Sequence, residues 1–156
     1  MRARGFTLIE LVITVAIIGL LATAAMPLAQ LVAQRSKENE LHEALRTIRT
    51  GIDAYKEAAS DGRIQLEVDA SGYPPNLQAL VDGVEDQSSP DKIKIYFLRR
   101  IPRDPLYPDT TADPTDTWGL RSYKSPPDAP QPGDDVFDVY SLAPGKSISG
   151  VPYYDW

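Results

Sequence analysis

From Leu11 to Gln34 the chain carries no charged residue, yet Glu10 stands at the head of that run, with Arg2 and Arg4 just before it. An uncharged stretch of this length can cross the hydrocarbon core of a bilayer as a helix. This constrains the fold most: whatever else forms is tethered to one membrane-spanning helix. Arginines ahead of the run, with no acidic residue among them, place the N-terminus in the cytoplasm and the remainder across the membrane. A carboxylate at the bilayer centre costs roughly 2.5–3.5 kcal/mol and less near the end of a span, and such groups usually mark function. A plain single-span anchor gives Glu10 no purpose. Neither does a secretory signal cleaved after the small residues Ala22 and Ala24. Pro27 removes a helical hydrogen bond and predicts a mild kink.

The helical pattern continues past the apolar run. Leu41, Leu45, Ile48, Ile52 and Tyr55 recur in steps of four and three, one apolar face of an amphipathic helix, while Arg35, Lys37, Glu38, Glu40, Glu43, Arg46, Arg49 and Lys56 mostly fill the other faces. His42 is off the stripe and is expected to be solvated. Thirteen of the fourteen prolines lie beyond Ser71, which excludes further long helices. Ile64, Leu66 and Val68 alternate with polar residues and suggest a strand. Pro74-Pro75 opens a short helix through Leu77, Leu80 and Val81. Ile93–Leu98 is a further strand or extended segment. Ser122–Lys124 and Val136–Leu142 read as late strands joined by SPPDAPQPGDD. The expected class is α+β: a long N-terminal helix, membrane-spanning in its first half and amphipathic in its second, packed on a small antiparallel sheet with extensive loops.

The formal charge of −6 is wrong for meeting phosphates, so no nucleic-acid partner is expected. With no cysteine and one histidine, disulfides, thiolate sites and cysteine nucleophiles are excluded, and neither a Gly-x-Ser-x-Gly nor a phosphate loop is present. Asp134, Asp135 and Asp138 form an acidic cluster that could do acid–base work or hold a metal. Such clusters are more commonly solvated turns. The chain is therefore read as not an enzyme, without cofactor or metal, against the alternative of a membrane-anchored periplasmic enzyme or binding domain.

Arg4-Gly5-Phe6-Thr7-Leu8-Ile9-Glu10 resembles the cleavage signal of type IV pilins and type II secretion pseudopilins. The resemblance implies that a membrane-embedded prepilin peptidase cuts between Gly5 and Phe6 and methylates the new amine of Phe6. Residues 1–5 would then be a leader, 6–34 the transmembrane and assembly helix, and 35–156 a periplasmic pilin-like domain. Losing Arg2 and Arg4 would move the formal charge from −6 to −8. Gly19 and Pro27 fall where many members carry a small residue and a proline, and are read as a weak point that unwinds in a filament. Glu10, one helical turn from the new amine, can pair with it on the same or a neighbouring subunit. Breaking a buried pair strands a charge, so the pair would set the register between neighbouring helices.

The C-terminal half resembles the major pseudopilin in its order of motifs: Pro75, Leu77, Leu80 and Val81; Pro102, Asp104 and Pro105; Trp118 and Gly119; Tyr123; then Phe137, Asp138, Tyr140 and Ser141. Two departures stand out. Leu106–Thr117 separates Asp-Pro from Trp-Gly, which usually adjoin. The family's calcium-binding Gly-x-Asp-Gly loop is replaced by SLAPGKSISGVPYYDW, with Pro144 near the first Asp, Lys146 adding a positive charge, and Asp155 standing as a match to the later Asp. No calcium is expected, and packing of Val151, Tyr153, Tyr154 and Trp156 is expected to hold the loop. The resemblance implies a homo-oligomeric filament, with other pseudopilins, the prepilin peptidase, an inner-membrane assembly platform and the inner membrane as partners. A minor pilin of a type IV pilus or DNA-uptake machine is the alternative.

Overall fold

The computed structural model describes residues 6–156; Gly5 and the rest of the expected leader lie outside them. One helix, α1, runs from Leu8 to Ser60 without a break at Pro27. Chain contacts divide the protein into two units, one ending at Ser36 and the other running from Lys37 to Trp156.

In the first unit α1 is the sole element among the described residues, and it buries nothing. The apolar side chains of this unit stand open: Phe6 and Leu8 are 82% exposed and Met26 72%. Its apolar window has a mean hydropathy of 2.4, and it is the one described helix long and apolar enough to cross a membrane. Thr14 returns its hydroxyl to the carbonyls of Glu10 and Leu11 (2.7 and 2.9 Å), and Thr23 bonds that of Leu20 (2.7 Å). These polar groups are therefore satisfied within the helix, as a lipid environment requires.

The second unit is built around the rest of α1. The expected stripe is its spine: Leu41, Leu45, Ile48, Ile52 and Tyr55 are all buried. Each fully buried aliphatic side chain contributes about 1.5–3 kcal/mol. Ser60 is the last helical residue because Gly62 adopts φ 71°, open to glycine at no steric cost. The Gly62 N–H then bonds the Ala59 carbonyl and the Arg63 N–H that of Ala58, closing the helix in a Schellman motif.

Beyond the helix the chain forms α2 (Ala79–Asp82), then β1 (Val84–Glu85) paired antiparallel with β2 (Lys94–Ile95). β3 (Trp118–Arg121) pairs antiparallel with β4 (Asp138–Ser141), with Gly119 opposite Tyr140 and Arg121 opposite Asp138. Leu77, Leu80, Leu98, Ile101, Trp118, Val136, Val139 and Tyr153 complete the core. The architecture is the expected α+β class. The strand expected at Ile64–Asp69 does not form. Ile64 is buried, but Leu66 and Val68 are 41% and 93% exposed, and Asp69 turns at φ 69°. Alternation alone does not make a strand without a neighbour to bond.

The separated motifs of the C-terminal half meet in space. Asp104, fully buried, accepts hydrogen bonds from the Ser141 hydroxyl and the Leu106 N–H, while its own N–H donates to Thr117 Oγ1 (3.2 Å). The Trp118 indole N–H donates to the Pro102 carbonyl (2.9 Å). The Leu106–Thr117 insertion folds back on itself. Arg103 donates to the carbonyls of Ala112 and Asp109, and Asp113 caps the Pro114–Thr117 turn. The Asp104–Thr117 bond closes its neck, so the chain re-enters β3 beside the residue it left.

Candidate functional site

Thr7 and Glu10 head α1. Thr7 precedes the first helical residue and Glu10 is the third. The Glu10 N–H donates to Thr7 Oγ1 (3.3 Å), while the Thr7 N–H and hydroxyl reach back to Glu10 Oε2 (3.5 Å each). This reciprocal arrangement is a capping box. The Thr-x-x-Glu spacing announces it in the sequence, yet the apolar surroundings of Glu10 draw attention first. Phe6 precedes the cap and is almost wholly exposed. Within the single chain, the Glu10 carboxylate thus serves its own backbone. A methyl group added at Gly19 would meet no neighbouring atom, so this helix surface is open.

The acidic residues near the end of the chain do not form a working pair. Asp134 is exposed. Asp135 is buried and accepts from the Ser122 hydroxyl (2.7 Å) and the Tyr123 N–H (2.9 Å). Burial pushes its carboxyl up, but hydrogen bonds from Ser122, Ser71 and Tyr123 outweigh burial and hold it below the usual carboxylate value. Asp138 pairs with Arg49 (2.8 Å). Asp135 and Asp138 each hold structure together, at different places.

Three residues on one flank of α1 hold the C-terminal segment, and sequence reasoning had placed none of them there. Glu38, His42 and Arg49 are four and seven residues apart, spacings that keep them on one side of a helix. Glu38 is buried against the last loop. His42 is exposed, as expected, and also stacks face to face on Trp156 (centroids 3.9 Å apart, planes 8° apart). Arg49 donates to Asp138, to the Val139 carbonyl (3.0 Å) and to the main-chain oxygen of Trp156 (2.7 Å). The aromatics at the end of the chain divide their work. Tyr153 is buried and meets Trp156 edge-on, whereas Val151 and Tyr154, expected to pack, are 42% and 60% exposed.

An open apolar helix that begins with a capped carboxylate, followed by a separately packed α+β unit, is the arrangement of a pilin-like fold. The comparisons agree. Residues 1–26 match the family model described as the prokaryotic N-terminal methylation motif. Over 108 residues the chain is 27% identical to type II secretion system core protein G of Dickeya chrysanthemi, covering 67% of this chain and 63% of that protein. It is 28% identical over 108 residues to the protein of the same name from Klebsiella pneumoniae, covering 67% of this chain and 69% of that protein. It is 35% identical over 80 residues to the type IV wide pilus major component PilA4 of Thermus thermophilus, covering 51% of this chain and 53% of that protein. No solved structure matches. The chain thus carries the prokaryotic N-terminal methylation motif and is similar in sequence to type II secretion core proteins G and to a type IV pilus component. It spans a little under two thirds of the length of the Dickeya protein.

Proposed function

We propose that this chain is a structural pseudopilin of a type II secretion system, polymerising through α1 into a pilus-like filament that helps export folded proteins. The observation that carries the reading is the wholly unburied apolar helix headed by Thr7 and Glu10, joined to the methylation motif over residues 1–26. An exposed apolar surface of this extent needs lipid or other helices to cover it. The membrane covers it before assembly, and neighbouring copies cover it in the filament. Residues 1–5 are removed by the prepilin peptidase and Phe6 is methylated. The N-terminus starts on the cytoplasmic side of the inner membrane and the unit from Lys37 onward lies in the periplasm. Other pseudopilins and an inner-membrane assembly platform are its partners, and Gly19 and Pro27 mark the stretch that yields on assembly. The role is structural and not enzymatic.

Cleavage frees an amine at Phe6 that needs a counter-charge, and Glu10 supplies it. Glu10→Leu leaves that amine alone in the helix bundle, and breaking one side of a buried pair costs about 3–5 kcal/mol. Cross-linking between subunits in cells should show multimers lost while insertion and the periplasmic unit survive, with Glu10→Asp intermediate. Normal multimers from Glu10→Leu would overturn the pairing role. The similarity to the Thermus pilus component favours a second reading, a type IV pilin. Loss of secretion with piliation intact on deleting the gene supports the first reading, and the reverse supports the second.

A further inference from the structure

The family resemblance implies calcium in the C-terminal loop, and the donor set there does not fit it. Calcium takes six to eight oxygens, usually with several carboxylates among them. Between Ala143 and Trp156 the one acidic side chain is that of exposed Asp155, and Lys146 brings positive charge to the same loop. Among the described residues no group of three or more His, Cys, Asp or Glu could hold a metal. The loop's own oxygens are turned onto its own donors. The Ser147 carbonyl accepts from the Gly150 N–H (2.9 Å), the Val151 carbonyl from the Ser147 N–H (2.8 Å), and Ser147 Oγ from the Val151 N–H (3.1 Å). Ser147 Oγ also shares a hydrogen bond with Ser149 Oγ (2.7 Å).

A carboxylate from α1 faces this loop. Glu38 Oε1 accepts from the Ile148 N–H (2.9 Å) and from the Tyr153 hydroxyl (3.0 Å). The polarity is the reverse of a cation site: N–H and O–H donors converge on an oxygen, where a cation would need oxygens to converge on it. We infer that Glu38 organises the Gly145–Trp156 segment without a metal, acting as a fixed acceptor at which the strap is fastened to the helix. His42 and Arg49 extend the fastening along the same flank, through the Trp156 ring and main-chain oxygen. The inference does not depend on which filament the chain builds.

Trypsin cleavage after exposed Lys146 reports opening of the strap. The full chain in detergent, with calcium or with chelator, is digested and the Lys146–Ser147 bond followed by mass spectrometry. Wild type should be cut equally slowly in both. Glu38→Ala strands the Ile148 N–H and the Tyr153 hydroxyl and should be cut about tenfold faster in both. Glu38→Gln, whose amide oxygen can accept from the same donors, should stay near wild type. Tyr153→Phe removes one donor alone and should give a smaller rise with the same indifference to calcium. Calcium protection of wild type, calcium rescue of Glu38→Ala, or wild-type cleavage of Glu38→Ala would each overturn the proposal.

Discussion

At the scale of single residues, the Thr7–Glu10 pair gives Glu10 two employments. In the lone chain it caps its own helix, and in the proposed filament it meets the Phe6 amine. The cap also bears on processing, because Phe6 remains outside the helix and accessible. Mass spectrometry of the mature protein should find N-methylated Phe6 at the terminus; Ala25 there would mean an ordinary signal peptide. In the second unit, Arg63 bonds Asp86 (2.7 Å) and the Ser88 hydroxyl and N–H bond it as well. The Arg63 bond leads in lowering the Asp86 carboxyl from its ordinary value of 3.8 to about 2. A carboxyl lowered on folding stabilises the fold above its unfolded value and loses that contribution as pH falls through the folded one. Asp86→Asn should therefore lower Tm at pH 7, and the gap to wild type should close as pH drops from about 3.8 to about 2. Glu10 was legible because a charge in an apolar run is conspicuous. Glu38 was not, because its partners stand 110 and 115 residues away and an acidic residue on a charged helix face looks ordinary.

At the scale of elements, the helical stripe was legible and the sheets were only partly so. Leu41 to Tyr55 repeat at the helical period, and period alone identifies a buried face. β1 and β2 are two residues each and exist through the pairing of Val84 with Ile95, which no local pattern encodes. The Trp-Gly step has a physical reason that only the pairing reveals. A methyl group at Gly119 would lie 2.2 Å from the ring of Tyr140, its cross-strand partner. The tyrosine covers the bare glycine backbone, a device that supports glycine in antiparallel strands. Gly119→Ala should destabilise the unit by about 1–3 kcal/mol in denaturant unfolding. Tyr140→Ala in the same chain should remove the clash, so the double variant should lose less than the two single losses combined. Ile48→Ala, at a fully buried position of the stripe, should cost about 2–5 kcal/mol by the same measurement.

At the scale of the whole molecule, the two units treat apolar surface in opposite ways: residues up to Ser36 leave it open, and residues from Lys37 onward pack it internally. Residues 37–156 made alone carry the whole core, from Leu41 to Tyr153. They should be folded and monomeric by ultracentrifugation, while the full chain in membranes should cross-link into multimers. Failure of the short chain to unfold cooperatively would mean that the apolar helix contributes to the fold. The α+β class was legible because one long helical pattern gives way to proline-rich sequence that cannot continue as long helices. The order of closure was not, because it depends on which ends of the chain meet. Arg49 binds Trp156 across 107 residues, and Glu38 binds Tyr153 across 115. Contacts so distant in sequence form late and slow folding. The flank of α1 from Glu38 to Arg49 therefore stays unfilled until the segment from Gly145 to Trp156 reaches it. An exposed Glu38–Arg49 flank is thus the mark of a subunit whose helix has formed but whose fold has not yet closed.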